Sequence, residues 1–569
     1  MSLPERDRRI DRWAGWAIAL GVMAYAAFAL WAPIAHLTFR STDDSYYYFQ
    51  VARNIVRGYG VTFDQIHATN GFHPLWMLCL LPVCAATGGA GEMSLRLTFC
   101  LVALVAGAAL WIAYRCLSSY AGRSAAVVGL VALTVPPFLN PLVNGLETGL
   151  LLLLLFFLLW TARRYSLLSL RSGTARNVIL GLLLALLFLA RLDSAFIVLG
   201  VLAAIPLCWM LGVEGRIPFP AMVRKSLEVG LTFAVAVAPY FVWNETSFGH
   251  LTAISGGLKT SFPVISFHPV RLTGYAAHYG QALLLASMLA SAWLWLGRRS
   301  RSARGPGSRG AEESPRLAPV LLAVGAGCCL HFVNSILFMG FGVHWWHFAS
   351  YAPLAVLLGT MVLADLQSRV GRPALLALAA ALAMAAFSVL GFYADYRRRG
   401  VDHERWLEAA LWARRNLPAD AVVGMTDCGL FGYFSERRTV NLDGVINGYP
   451  YQEALQQGRL REFLDGCRMT HVATSTAQYE HGRYIVWLPA RLHRGPGGAI
   501  VGLESAEVYR SQPYNGMRFA IWERALLPVF GDAGDRHGIE RLVDLQKYPK
   551  SVDPPGGIPP GTRTQGPGR

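Results

Sequence analysis

Long apolar blocks separated by short polar connections dominate the chain, and a block of about 17 to 25 residues is the length that crosses a bilayer as a helix. Such runs fall near 13–35, 95–115, 124–140, 149–162, 177–192, 194–212, 224–243, 277–297, 317–340, 348–366 and 373–393. The pattern predicts about eleven crossings. A further apolar piece, Pro74 to Thr87, is about 14 residues long and interrupted by Pro82, which suits a re-entrant or interfacial segment. From Tyr393 the periodicity changes to that of a soluble domain. His403 to Leu417 and Tyr451 to Asp465 carry a helical period, while Ala421 to Met425 and Thr439 to Leu442 read as strands. The chain therefore divides into a transmembrane portion over 1–393 with its first outer loop at 36–76, an α/β domain over 394–530, and a Gly/Pro-rich tail over 531–569 expected to be disordered.

Composition supports the membrane reading, since 54% of the 569 residues are hydrophobic and only 15% charged. The mean hydropathy is +0.37. A soluble protein would carry about a quarter charged residues. Charge placement then predicts orientation. With Arg6, Arg8, Arg9 and Arg12 in the cytoplasm and Pro74 to Thr87 not crossing, the basic connections fall on that same side. These are Arg115 to Arg123, Arg163 to Arg176, Arg216 to Lys225, Arg298 to Arg316 and Arg369 to Arg372. Loop 36–76, Asn144 to Glu147, Asp193, Asn244 to Pro263, His344 to His347 and the C-terminal domain then share the outer side. The net charge of +16 reflects retained loops and contact with anionic lipid, and does not point to nucleic acid. The first apolar run is too long for a cleavable signal and predicts an anchor. Of nine cysteines, only Cys428 and Cys467 fall in the outer polar region, where a disulfide between them is open. No C-x-x-C spacing suggests a zinc site.

Chemistry concentrates in Ser41 to Trp76. Asp43 and Asp44 open an amphipathic segment with Tyr46, Tyr47, Phe49, Val51 and Ile55 on one side and Arg53, Asn54 and Arg57 on the other, which predicts a helix lying on the membrane surface. Capping that helix is the simplest role for the acids. A carboxylate pair near membrane depth is costly to desolvate, which makes it a functional candidate. Glu147 begins a span and could merely complement its dipole. Arg191 and Asp193 share a tight turn and could pair locally. Lys259, in a loop with Gly256 and Gly257, could snorkel to headgroups or hold a phosphate. His344 and His347, three residues apart, suit a metal pair without its third ligand, or hydrogen bonding to substrate. Trp345 and Trp346 fit the aromatic belt.

The run from Asp43 to Ile55, with Gly58-Tyr-Gly-Val-Thr-Phe-Asp64 and Asn70-Gly-Phe-His-Pro-Leu-Trp76, resembles the first outer loop of the GT-C superfamily of membrane glycosyltransferases. That group includes protein O-mannosyltransferases, the oligosaccharyltransferase, the lipid A aminoarabinose transferase and mycobacterial arabinofuranosyltransferases. Gly145-Leu-Glu-Thr148, Ala190-Arg-Leu-Asp193 and Gly249 to Lys259 resemble features of its bacterial branches. The resemblance implies a polytopic α-helical membrane protein, GT-C-like, with a C-terminal extracytoplasmic α/β domain. It implies transfer of a hexosyl or pentosyl group from a polyprenyl-phosphate-linked sugar donor to a glycan, lipid or protein acceptor. The setting would be the outer face of a bacterial inner membrane, in cell-envelope biogenesis.

An acceptor hydroxyl needs a carboxylate base. The resemblance puts Asp43 first in that role, with Asp44 capping, assisting or exchanging with it. Lys259, Arg53 and Arg191 would hold the departing phosphate. Asn70, His73, Glu147, Asp193, His344 and His347 would line the sugar or acceptor cavity. Some members use a divalent metal and others do not, so a metal cofactor is left open. A polytopic transporter or flippase is the rival from another class. Against it, the ionisable residues gather at the outer ends of spans and no inverted repeat is visible.

Overall fold

Where apolar runs are unbroken, the chain forms helices that satisfy their own backbone groups, as a bilayer interior requires. In this computed structural model, eight helices among the described residues are long and apolar enough to cross a membrane. They are Asp7–Trp31, Gly91–Ala121, Thr148–Tyr165, Leu192–Met210, Phe219–Phe248, Tyr279–Leu296, Leu317–Leu337 and Trp346–Arg369. The described residues are 3–89, 91–267, 275–302, 314–339, 344–370, 379, 403–475, 511, 519 and the strands of the C-terminal domain up to 532. The predicted crossing at 373–393, apart from residue 379, residues 303–313 of the basic connection, and the tail from 533 lie outside them. The protein is a multi-pass membrane protein with an α/β domain at its C-terminal end.

Two predicted crossings take other forms. The run 124–140 is a broken pair, Arg123–Ala132 and Pro136–Val143, bent by 75°. Pro136 and Pro137 offer no N–H to the preceding turn, and Val135 before them is extended at ψ 137°. The run 177–192 is the shorter helix Thr174–Ala190, of 17 residues. Pro74–Ala86 is a helix of 13 residues, too short to span the hydrocarbon core upright.

The C-terminal domain is built on a five-stranded sheet, ordered β2-β1-β3-β8-β7. β1 (Val422–Met425), β2 (Arg438–Asn441) and β3 (His471–Thr474) are parallel, while β8 (Ala520–Glu523) and β7 (Glu507–Arg510) add antiparallel. β4 (Gln478–Glu480), β5 (Arg483–Leu488), β6 (Gly498–Leu503) and β9 (Val529–Asp532) form a second, antiparallel sheet. β9 includes the first two residues of the predicted tail.

Side chains alternate across the five-stranded sheet, as the pleat demands. Val423, Met425, Ala473 and Ile521 join the cluster that continues into the first outer loop. Val422, Val440, Val472 and Trp522 pack on the opposite face. Cys428 belongs to the first cluster and Cys467 to the second. Both are free thiols, so the disulfide left open from sequence is not formed. The sheet stands between them.

Close helix packing sets the geometry of the membrane portion. A Cβ on Gly200 would lie 2.3 Å from the Ala323 carbonyl oxygen and 2.7 Å from the Gly327 nitrogen. That contact joins the helix following Asp193 to the one carrying His331. Overpacking a site of this kind costs about 1–3 kcal/mol. Gly200→Ala is therefore expected to lower the thermal unfolding temperature of the detergent-solubilised protein, and an unchanged transition would contradict this packing.

Candidate active site

Asp43 and Asp44 occupy the first turn of helix Asp43–Val56. Successive helical side chains diverge by about 100°, and the two carboxylates part company accordingly. Asp43 faces the C-terminal domain. Its Oδ2 accepts the Gly429 N–H at 2.9 Å and its Oδ1 the Leu430 N–H at 2.7 Å. It thereby satisfies the first amides of helix Gly429–Ser435, which follows β1. Asp44 lines a polar cavity of about 60 Å³ together with His73, Glu147, Arg191, Lys259 and His347.

The rest of the helix is not a surface helix, contrary to the sequence expectation. Its predicted polar face is covered in part, Arg53 by the C-terminal domain and Asn54 by the rest of the outer loop, while Arg57 stays exposed. Arg53 is buried, donates to the Tyr433 carbonyl at 2.9 Å and lies 3.7 Å over the Tyr433 ring. Asn54 donates to the carbonyls of Thr62 and Phe63. Tyr47 accepts from the Cys428 N–H and from Asn441. The same seam continues through the loop, where His67 stacks on Phe463 and meets the Cys467 sulfur at 3.8 Å.

One wall of the cavity is a chain of charged groups. Arg191 donates through Nε to both Asp193 oxygens, at 2.8 and 3.0 Å, and through Nη1 to Glu147 Oε1 at 3.0 Å. Tyr48 donates to Glu147 Oε2 at 2.9 Å. His73 Nδ1 accepts the Leu192 N–H at 3.2 Å, which leaves its Nε2, 3.6 Å from Glu147, as the protonated nitrogen. Burial depresses the His73 pKa and outweighs the pull of Glu147, so the ring is neutral. Burial opposes the Arg191 charge, but Asp193 and Glu147 overcome it and raise its pKa. Beyond Asp193 lies His331, 3.6 Å away and 2.7 Å from the Tyr351 hydroxyl. The turn that delivers Glu147 needs Gly145, at φ +85°, whose Cβ would crowd Phe49 and Ser45 at 3.1 Å.

The opposite wall is the short helix Ile254–Lys259. Asn70 holds it in place: its Oδ1 accepts the Ile254 N–H at 2.9 Å, and its Nδ2 donates to Asn244 at 2.8 Å. Tyr449 of the C-terminal domain stacks on His250 at 3.8 Å and donates to the Thr252 carbonyl. Trp346 and His347 complete this side. His344 stacks on Trp346 at 4.3 Å, and its N–H donates to His347 Nδ1 at 3.0 Å.

Six of the residues singled out from sequence thus meet around one cavity: Asp44, His73, Glu147, Arg191, Lys259 and His347. Asp43, Arg53, Asn70, Asp193 and His344 stand behind it or at the seam. Among the described residues no group of three or more His, Cys, Asp or Glu has the arrangement of a metal site. Sequence reasoning missed Tyr48, Ser255 and His331. His331 carried a readable signal, since an ionisable side chain within an apolar span is itself a candidate.

Asp43 gives this seam a pH dependence. Burial pushes its pKa up to about 7, against the lowering by the Leu430 and Gly429 amides and with help from Asp44 and Asp443. The folded state then holds the proton more tightly than an unfolded chain with its carboxyl near about 3.9. Stability is fullest below that lower value and is lost as pH rises towards about 7. Thermal unfolding between pH 5 and 8 should show this slope in the wild type and a flatter profile in Asp43→Asn. The variant should also be weaker by about 1 kcal/mol, because its NH2 cannot accept one of the two amides.

Comparison with known proteins places the fold. Residues 394–522 match a domain family of unknown function, DUF8728. No curated protein sequence matches the chain. Among solved structures, ArnT from Cupriavidus metallidurans bound to undecaprenyl phosphate superposes with a TM-score of 0.50 at 14% identity, over 81% of this chain and 93% of that one. The Archaeoglobus fulgidus oligosaccharyltransferase, solved with zinc and sulfate, gives 0.43 at 15% identity, and this chain spans 64% of its length. The superposition on ArnT over most of both chains gives this chain the GT-C fold.

Proposed function

We propose that the protein is an integral membrane glycosyltransferase that moves a sugar from a polyprenyl-phosphate donor to an acceptor hydroxyl on the outer face of the membrane, with Asp44 as general base. One observation carries this reading. Asp44 is the acid of the pair that lines the cavity, across from Lys259 and Arg191, while both oxygens of Asp43 are engaged by amides of the C-terminal domain. The sequence expectation ranked Asp43 first, and the geometry favours the exchanged order.

In this reading the acceptor oxygen attacks the anomeric carbon as Asp44 removes its proton. The bond from that carbon to the phosphate oxygen breaks, and polyprenyl phosphate leaves as an anion. Such a leaving group needs cations more than it needs an acid. Lys259 supplies a point charge and Arg191 a guanidinium held in orientation by Glu147 and Asp193. Neutral His73 and the Tyr48 hydroxyl suit sugar hydroxyls. At about 60 Å³ the cavity is far below the about 300 Å³ of a ligand site. Substrate entry therefore requires the cavity to widen.

The test is release of polyprenyl phosphate from synthetic polyprenyl-phosphate sugars, including arabinofuranose, mannose, glucose and galactose, by the purified full chain. Asp44→Asn is expected to lower kcat by about 10²–10⁴-fold, the usual worth of a general base, with an unchanged unfolding profile. Lys259→Ala should weaken donor use by about 1.5–3 kcal/mol in kcat/KM, the worth of a charge-assisted hydrogen bond. Full activity of the Asp44 variant would overturn the assignment of the base. Absence of turnover with every donor, with lipid movement across vesicles instead, would replace the transferase with a transporter.

A further inference from the structure

A second cavity, much larger than the polar one, opens among helix Asp7–Trp31, helix Gly91–Ala121 and the broken pair Arg123–Ala132 and Pro136–Val143. It measures about 450 Å³ and shares no lining residue with the cavity around Asp44. Its walls are mostly apolar, and small residues contribute to its lining: Ala17 and Gly21 from the first helix, Ala103 and Ala106 from helix Gly91–Ala121. A Cβ on Gly21 would meet nothing within 4 Å. Among the described residues Arg40 is its one charged lining residue.

Shape and charge together specify an occupant. On the first helix the lining runs from Ala17 to Phe28, about 16 Å at 1.5 Å per residue. That is about half of a 30 Å hydrocarbon core, the depth of one leaflet. A cleft of about 450 Å³ along this length has room for a hydrocarbon chain. Left empty, such a cleft would deprive its walls of contact atoms, and its apolar lining offers water few partners. Arg40 lies at the end nearer the acid pair, three residues before Asp43, where a headgroup would sit. We propose that this cleft binds one acyl chain of an anionic phospholipid from the leaflet on the Asp44 side, with the phosphate held at Arg40. The lipid would brace helix Ile34–Arg40, which leads directly into the acid-bearing helix.

The test uses the full chain in detergent after delipidation, with phosphatidylglycerol or phosphatidylcholine added back. Readouts are native mass spectrometry and thermal unfolding. Wild type should retain one phosphatidylglycerol, bind it about tenfold more tightly than phosphatidylcholine, and unfold at higher temperature with it. Gly21→Leu fills the cleft from within, so it should unfold at higher temperature without lipid and gain nothing from lipid. Thr134→Leu fills it from the other wall and gives the same reading should Gly21→Leu fail to fold. Arg40→Gln should abolish the headgroup preference while retaining binding. Equal stabilisation of wild type and both filled variants by phosphatidylglycerol would overturn the proposal. So would one-for-one displacement of the lipid by undecaprenyl phosphate, which would give the cleft to an isoprenoid chain instead.

Discussion

The bond on which the arrangement depends is the one from Asp43 to the amides of Gly429 and Leu430, 386 and 387 residues further along the chain. A buried carboxylate is costly unless its oxygens are satisfied, and unsatisfied helix amides are costly unless something accepts them. Each group lowers the other's penalty. The result fixes the C-terminal domain against the first turn of the acid-bearing helix and leaves the neighbouring Asp44 directed elsewhere.

This contact also explains why the C-terminal domain belongs with the site. The residues that meet the outer loop follow the carboxyl ends of the parallel strands: Asp427 to Leu430 after β1, and Asp443 to Val445 after β2. In α/β sheets that edge is where ligands and partners are received. Here its occupant is the loop of the same chain, with Tyr47 held by Cys428 and Asn441 and Arg53 seated on Tyr433. Tyr449 extends the same grip to the segment bearing Lys259. One domain therefore holds both the acid and the cation sides of the cavity.

Behind the cavity, the chain Tyr48, Glu147, Arg191, Asp193, His331 and Tyr351 carries charge into the membrane portion. Arg191 lies between two carboxylates; the Tyr48 hydroxyl donates to one of them, and His331 lies 3.6 Å from the other. A network in which every member has a partner is rigid, because loosening one member strands the others in a medium that solvates them poorly. Under the proposed function, that rigidity keeps the Arg191 guanidinium oriented for a phosphate.

Much of this was legible in the sequence. Hydropathy located eight of the eleven predicted spans among the described residues but not the break before Pro136, and the turn residues beside the spans located Glu147, Arg191 and Lys259. In the C-terminal domain local periodicity located β1 and β2 and the helical stretches at 403–417 and 451–465, but not β3 to β9 or helix Gly429–Ser435. The sequence could not decide which acid faces the cavity, because adjacent helical positions look equivalent until something packs against one of them. It could not turn Arg53 from a solvated face into a buried seam, since the residue that covers it, Tyr433, lies in a distant part of the chain. Nor could it separate Cys428 from Cys467, which only the two faces of the sheet keep apart. Local residue order determined many of the elements and most of the candidate groups; long-range burial, which depends on which surfaces meet, decided what each of them does.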